Sequence, residues 1–247
     1  IMDVTYSVVV PVYNAAPVLE ELTGRTCDVF GKIGCNFEII FVDDFSSDNS
    51  WPTLKHLAQK DRRVKAVRLT GNFGQHSATL CGMFYARGRF IITMDDDLQH
   101  RPEDIPVLIE KMRLSGAEVV IAMLTEKKHA WYRTRASNVM KKLNEILMNK
   151  PKGIYLSSFR LLRRDVVKGM LQQNSPFPYL PVLIFGVTSG VVNVEIPHQE
   201  RKSGSSNYTL VKMLKLAGRL LFARWPVIQG LLGAAKPAYV VDKAINI

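Results

Sequence analysis

The chain has 247 residues, 47% of them hydrophobic, enough for the core of one large domain or of one domain with a small appendage, and this excludes a globally disordered chain. Lysine and arginine number 33 against 22 aspartate and glutamate, for a net charge of +11. The excess is uneven, with net −3 over residues 1–123, +9 over 124–168 and +5 over 169–247, so the basic half suits a phosphate-bearing ligand, an anionic membrane surface or nucleic acid.

The chain opens on VTYSVVVPVY, a strand pattern without the basic flank of a secretory signal. Apolar, β-branched runs at 5–13, 37–44, 64–69, 90–95 and 118–123 read as strands, and helix-period segments at 17–31, 50–60, 75–87 and 102–115 lie between them. Nearly continuous apolar strands belong to a parallel sheet covered on both faces. The alternation predicts an α/β fold with a mostly parallel, doubly wound central sheet flanked by helices. The three cysteines, Cys27, Cys35 and Cys81, form no CxxC pair or metal-ligand cluster and read as small thiols in a reducing compartment.

Further on, residues 131–148 form a basic amphipathic helix pattern, with Val139, Leu143 and Ile146/Leu147 on one side. VVNVEIP at 191–197 reads as a strand, and 205–222 reads as a helix opened by serine caps. Residues 216–235 are apolar over a spanning length but contain Arg219, Arg224 and Pro226. Each arginine at the bilayer centre costs ~2.5–3.5 kcal/mol, so an interfacial or docked amphipathic helix is expected over a span. The expected division is a catalytic domain over 1–222 and a membrane-proximal tail over 223–247.

Ligands of doubly wound sheets sit beyond the carboxyl ends of the strands. Those ends carry Pro11, Tyr13 and Asn14, then Asp43 and Asp44, then Gly71, Asn72 and Gly74, then Asp95, Asp96 and Asp97. Three like charges closing an apolar strand call for a cation. In an extended strand Asp95 and Asp97 project to one side and Asp96 to the other. Two such carboxylates make a hard oxygen site for Mg²⁺ or Mn²⁺, with Gln99 as a neutral oxygen and His100 as a hydrogen-bonding neighbour. Pro102 then opens a helix with Glu103 and Asp104 at its positive end. A P-loop is absent, as is GxGxxG after the first strand, which argues against kinase-type and dinucleotide sites.

VVVPVYN, FVDDFSSDNS, LTGNFGQHSA and MDDDLQH, in this order, resemble the motifs of family 2 of the glycosyltransferases. YLSSFRLLRRDVV and ERKSGSSNYTL resemble the branch of dolichyl-phosphate mannose synthase and bacterial polyprenyl-phosphate sugar transferases. The resemblance covers residues 5–222 and implies a GT-A fold with C-terminal amphipathic helices. It implies that Pro11 and Tyr13 line a base pocket, that Asp44 holds base or ribose, and that Asn72 contributes to donor binding. Asp95, Asp97 and Arg201 are the implied catalytic set, and Asp97, Gln99 and Asp95 the implied metal set. Arg133, Arg135 and Arg160 are implied phosphate or donor contacts, and Ser205, Asn207 and Tyr208 shape a loop over the site. Two positions depart from the pattern: Ala15 stands where the family often has an acid, and Ser157-Ser158 where the branch often has Gly-Asp.

An acceptor phosphate with a second pKa near 6 is mostly dianionic at neutral pH and needs little help from a base, whereas a hydroxyl acceptor needs one. Serine at 158 therefore favours a phosphate acceptor. The expected activity is inverting, metal-dependent transfer of a sugar from a nucleotide donor, UDP ahead of GDP, to a polyprenyl-phosphate-like lipid. The expected place is the inner face of the cell membrane, peripheral to an anionic surface. One alternative keeps the fold and takes a saccharide hydroxyl as acceptor. Another is a basic nucleic-acid binder, which the lack of aromatic interleaving among the basic residues disfavours.

Overall fold

The computed structural model describes residues 4–125, 151–173, 175, 178–197 and 238–247. Strands β1 (Tyr6–Val12), β2 (Phe37–Asp43) and β3 (Val64–Leu69) alternate with α1 (Leu19–Ile33) and α2 (Ser50–Lys60). Helix α3 (Gln75–Tyr85), β4 (Phe90–Thr93), α4 (Ile105–Ser115) and β5 (Val119–Thr125) continue the alternation. Then come β6 (Arg160–Arg163), α5 (Arg164–Gln172), α6 (Leu180–Val187), β7 (Val191–Pro197) and β8 (Val241–Ile245). They form one eight-stranded sheet in the order β7-β5-β6-β4-β1-β2-β3-β8.

Strands β1 and β2 are buried at every position, which is why they read as unbroken apolar runs. Side chains of one parity, such as Val8, Val10, Ile39 and Phe41, pack under α1, α2 and α4. Those of the other parity, such as Val9, Ile40 and Val42, pack under α3, α5 and α6. Helices on both faces make the sheet doubly wound. Full burial of each large side chain, such as Phe30, Phe41 or Leu54, contributes about 1.5–3 kcal/mol. Helix α3 lies hard against the sheet: a Cβ on Gly82 would overlap Val9 and approach Val42 Cγ2 to 3.2 Å.

Strands β1, β2, β3 and β4 are mutually parallel where they pair, and β5 pairs parallel with β7. Strand β6 is antiparallel between β4 and β5, and β8 is antiparallel at the edge beside β3. Neither β6 nor β8 was expected from the sequence. The chain runs β1 to β2 to β3 in one direction and then returns to place β4 on the other side of β1. The switch point of the sheet therefore lies between β1 and β4, where a doubly wound fold presents its ligand crevice.

Candidate active site

A cleft of about 490 Å³ opens at this switch point, lined by Pro11, Val12, Tyr13, Asp44, Asn72, Gly74, Gln75, Asp95, Asp96, Asp97 and Gln99. Pro11, Tyr13, Asp44, Asn72, Asp95, Asp97 and Gln99, seven positions singled out in the sequence, thus meet in one wall although they come from four strand ends. The loops that bring them together are conformationally demanding. Asn14, Phe45 and Leu98 follow β1, β2 and β4, and each has a positive φ, at 54°, 63° and 60°. Strained backbone of this kind concentrates at functional sites and costs of order 1–3 kcal/mol per residue.

Each wall is braced by side chains from another strand end. Asp44 accepts the Phe73 and Gly74 N–H groups at 2.7 and 2.8 Å, so it holds the GNFG turn in place. Burial pushes its carboxyl above the ordinary range, while those two amides pull it down. Asn14 accepts the Ser47 N–H at 2.9 Å and gives its own N–H to Ser46 Oγ at 3.0 Å. At Ala15 the backbone N–H donates to Ser50 Oγ at 2.9 Å. Asp43 turns away from the cleft, 3.3 Å from Arg68 Nε in an ion pair too poorly aligned to be a hydrogen bond. The Asp43–Asp44 pair therefore diverges, and only Asp44 lines the cleft.

The three aspartates differ from the extended-strand expectation. β4 ends at Thr93, its last pairing with β6, and the chain bends through 96–100. The alternation of a strand therefore does not set their directions. Asp96 accepts the Tyr13 N–H at 3.1 Å, and Asp97 accepts the Gln99 N–H at 3.0 Å. Burial pushes the Asp96 carboxyl up to about 6, opposed by the Tyr13 N–H and reinforced by the charges of Asp95 and Asp97. Among the described residues no three acidic, histidine or cysteine side chains converge as a metal cage. Mg²⁺ or Mn²⁺ on a substrate diphosphate needs only one or two carboxylates, with water and phosphate completing the shell. Exposed Asp97 and half-buried Gln99 and Asp95 on one cleft wall fit that requirement.

Asp95 faces inward as well as outward. Its Oδ1 accepts from Gln75 Nε2, and its Oδ2 accepts from Ser158 Oγ at 2.6 Å. His100 Nδ1 accepts the Asp95 N–H at 3.2 Å, and its ring stacks on Phe159 at 5.2 Å. Burial holds His100 below its ordinary range, so the 3.6 Å approach of Nδ1 to Asp95 Oδ2 joins a neutral ring to a carboxylate and is not an ion pair. Arg160 lies beneath the cleft and is 4% exposed. Gln75 and Ser158 are site residues that sequence reasoning left without a role. Both stand inside quoted motifs, but their common partner, Asp95, is 20 and 63 positions away.

Arg133, Arg135, Arg201, Ser205, Asn207 and Tyr208 lie outside the described residues, as do the 131–148 and 205–222 segments. Their attachment points are described. β5 ends and β6 begins at the carboxyl rim, since Arg160 pairs with Thr93 and Ile121. β7 ends at that rim, and β8 begins there beside Leu69. Among the described residues no helix is long and apolar enough to cross a membrane.

Residues 7–171 match the model of glycosyl transferase family 2. A curated relative, undecaprenyl-phosphate 4-deoxy-4-formamido-L-arabinose transferase of Edwardsiella ictaluri (strain 93-146), is 37% identical over 211 residues. That match takes in 85% of this chain and 65% of the relative, so the chain spans about two-thirds of the relative's length. Among solved structures, mannosyl-3-phosphoglycerate synthase from Rubrobacter xylanophilus superposes with a TM-score of 0.62 at 16% identity, over 94% of this chain and 77% of that one. Glucosyl-3-phosphoglycerate synthase from Mycobacterium tuberculosis, solved with Mn²⁺, UDP and glucosyl-3-phosphoglycerate, gives a TM-score of 0.57 at 16% identity, over 89% and 79%. At such identities the two structures speak for the fold, a central mostly parallel sheet flanked by helices.

Proposed function

Because the chain belongs to glycosyl transferase family 2, we propose that it transfers a sugar from a nucleoside diphosphate sugar, UDP ahead of GDP, to a polyprenyl-phosphate-like lipid with inversion at the anomeric carbon. One observation carries the reading: Pro11, Tyr13, Asp44, Asn72, Asp95, Asp97 and Gln99 converge on a single cleft at the switch point of the sheet. The curated relative is named for an undecaprenyl-phosphate acceptor, which supports the lipid class. The neighbour bound to Mn²⁺ and UDP supports a divalent ion and a uridine nucleotide.

In this reading Tyr13, 53% exposed at the mouth, offers its ring to the base beside Pro11. Asp44 fixes the turn at 73–74 that borders the nucleotide. Asp97, Gln99 and Asp95 hold Mg²⁺ or Mn²⁺, which supplies charge neutralisation for the departing diphosphate. The acceptor phosphate oxygen forms a bond to the anomeric carbon as the bond to the diphosphate oxygen breaks on the opposite side. A dianionic phosphate is already a nucleophile, so Ser158 in place of an acid is no handicap. The net +9 of residues 124–168 suits anionic headgroups and phosphates, and supports peripheral attachment at the inner face of the membrane.

The test is transfer from UDP- and GDP-sugars to short prenyl phosphates with Mg²⁺, Mn²⁺ or a chelator. Asp97→Asn and chelation are each expected to lower turnover at least ~100-fold. Undiminished turnover in Asp97→Asn would sink the metal assignment, and transfer only to a water-soluble glycan would replace the lipid acceptor with a hydroxyl one.

A further inference from the structure

We propose that Arg160 is a positioning residue that acts through Asp95: a buried guanidinium behind the cleft that balances this carboxylate and, with Ser158 and Gln75, fixes the direction in which it faces the donor. The inference rests on the reading of the cleft as the donor site. It gives Arg160 a different task from a direct phosphate contact.

The placement follows from register. Arg160 is the first residue of β6 and pairs with Thr93, the last residue of β4, two positions before Asp95. Its chain neighbours, Phe159 just before β6 and Leu161 on it, pack under α1 and α4, so its own side chain turns to the opposite face, towards α3 and α6. There it shares a small cavity with Gln75, His76, Thr79, Thr93, Asp95 and Ser158. Among the described residues Asp95 is the only acid in that lining. Burial keeps His76 well below its ordinary range, at about 4, so the ring is neutral and does not balance or oppose the guanidinium at neutral pH. Burial pulls Arg160 down to about 10, and the charge of Asp95 is the leading influence that pulls it back up.

A buried cation with an unfilled donor is expensive unless it is paired. Arg160 is such a group, since its Nε has no hydrogen-bond partner among the described residues. A fold that needed only packing at this position would be served by an apolar side chain. The other cradle contacts repeat the design. Thr93 Oγ1 donates to the Ser158 carbonyl at 2.6 Å, which fixes the backbone from which Ser158 Oγ reaches Asp95. An aspartate at 158 would set two carboxylates side by side and push one of them towards its neutral form. Serine at 158 and arginine at 160 thus belong to one arrangement around Asp95.

The test is a double-mutant cycle on Arg160→Met and Asp95→Asn, with Arg160→Lys alongside, read as UDP affinity in Mn²⁺ by calorimetry and as stability in urea. Arg160→Met is expected to weaken UDP binding by about 10–100-fold, and Arg160→Lys by less, because it keeps the charge. In the Asp95→Asn background Arg160→Met is expected to add little to either measure. Additive effects would overturn the inference, since they would mean that Arg160 acts on the phosphate or the fold directly. Should Arg160→Met fail to fold, Ser158→Ala takes its place in the cycle and must show the same coupling to Asp95. Coupling in urea without any UDP binding by the unmodified protein would leave the Arg160–Asp95 link standing and sink the donor-site reading instead.

Discussion

Asp44 and Gly74 are tied together from the ends of neighbouring strands: the Gly74 N–H donates to Asp44 Oδ2 at 2.8 Å, and the Phe73 N–H takes the other oxygen at 2.7 Å. Asparagine at 44 keeps one acceptor and turns an NH₂ group towards an N–H. Asp44→Asn is therefore expected to cost about 1–3 kcal/mol. For a chain of this size that lowers Tm by roughly 2–4 °C per kcal/mol. The freed turn should weaken donor binding as well, and a calorimetric titration with UDP alongside a thermal melt separates the two effects.

Gly74 itself has φ 88° and ψ 158°, a region that only glycine visits without strain. A Cβ there would meet open space. The penalty of Gly74→Ala is thus conformational rather than steric, about 1–3 kcal/mol. The turn is expected to relax away from Asp44, so donor KM should rise more than kcat falls. An alanine variant with unchanged stability and KM would show that the turn does not need this conformation.

Gly82 presents the opposite case. Its conformation is ordinary and helical, but a Cβ would overlap Val9 and press on Val42. Gly82→Ala is expected to push α3 off β1 and β2 and to cost about 1–3 kcal/mol as overpacking. Pairing it with Val9→Ala should recover part of the loss, which denaturant midpoints would report.

Glu103 binds Arg25 through two hydrogen bonds, at 2.8 and 2.7 Å, and joins α1 to the turn before α4. The Arg25 hydrogen bond is the main cause holding its carboxyl down at about 2, from an ordinary 4.5, with Arg101 adding a smaller pull. A depressed carboxylate stabilises the fold at pH values above 4.5 and loses that contribution as pH falls from 4.5 towards 2. The pair is partly exposed, so Glu103→Gln is expected to cost no more than about 1 kcal/mol at neutral pH. The difference from the unmodified protein should shrink steadily below pH 4.5 and vanish only below pH 2 in urea titrations.

Where periodicity was long, the sequence was legible. The 64–69 strand and the 50–60 helix stand in the structure at those bounds. Strand 37–44 differs from Phe37–Asp43 by one residue. β6 escaped because RLLR is only four residues long, carries arginine at both ends, and owes its extended form to partners on both sides. β8 escaped because VDKAI is an edge strand with exposed positions at its centre, so burial writes no alternation into it. The cleft wall could be read because strand ends converge by topology. The bracing behind it could not be read, because Ser158 reaches Asp95 only once β6 lies between β4 and β5, and Gln75 only once α3 lies on the sheet. The directions of Asp95, Asp96 and Asp97 followed the bend after Thr93 and the positive φ of Leu98, which alternation does not encode.

β8 runs against β3, and this decides where the polypeptide leaves the body. Val241 sits beside Leu69 at the mouth, but Ile245 sits beside Ala66, and Asn246 donates to the Val64 carbonyl at the far end. Any extension joined after Ile247, such as a fluorescent label, a surface-immobilisation tag or a fusion partner, therefore projects from the floor of the molecule. It would leave the mouth of the cleft unobstructed.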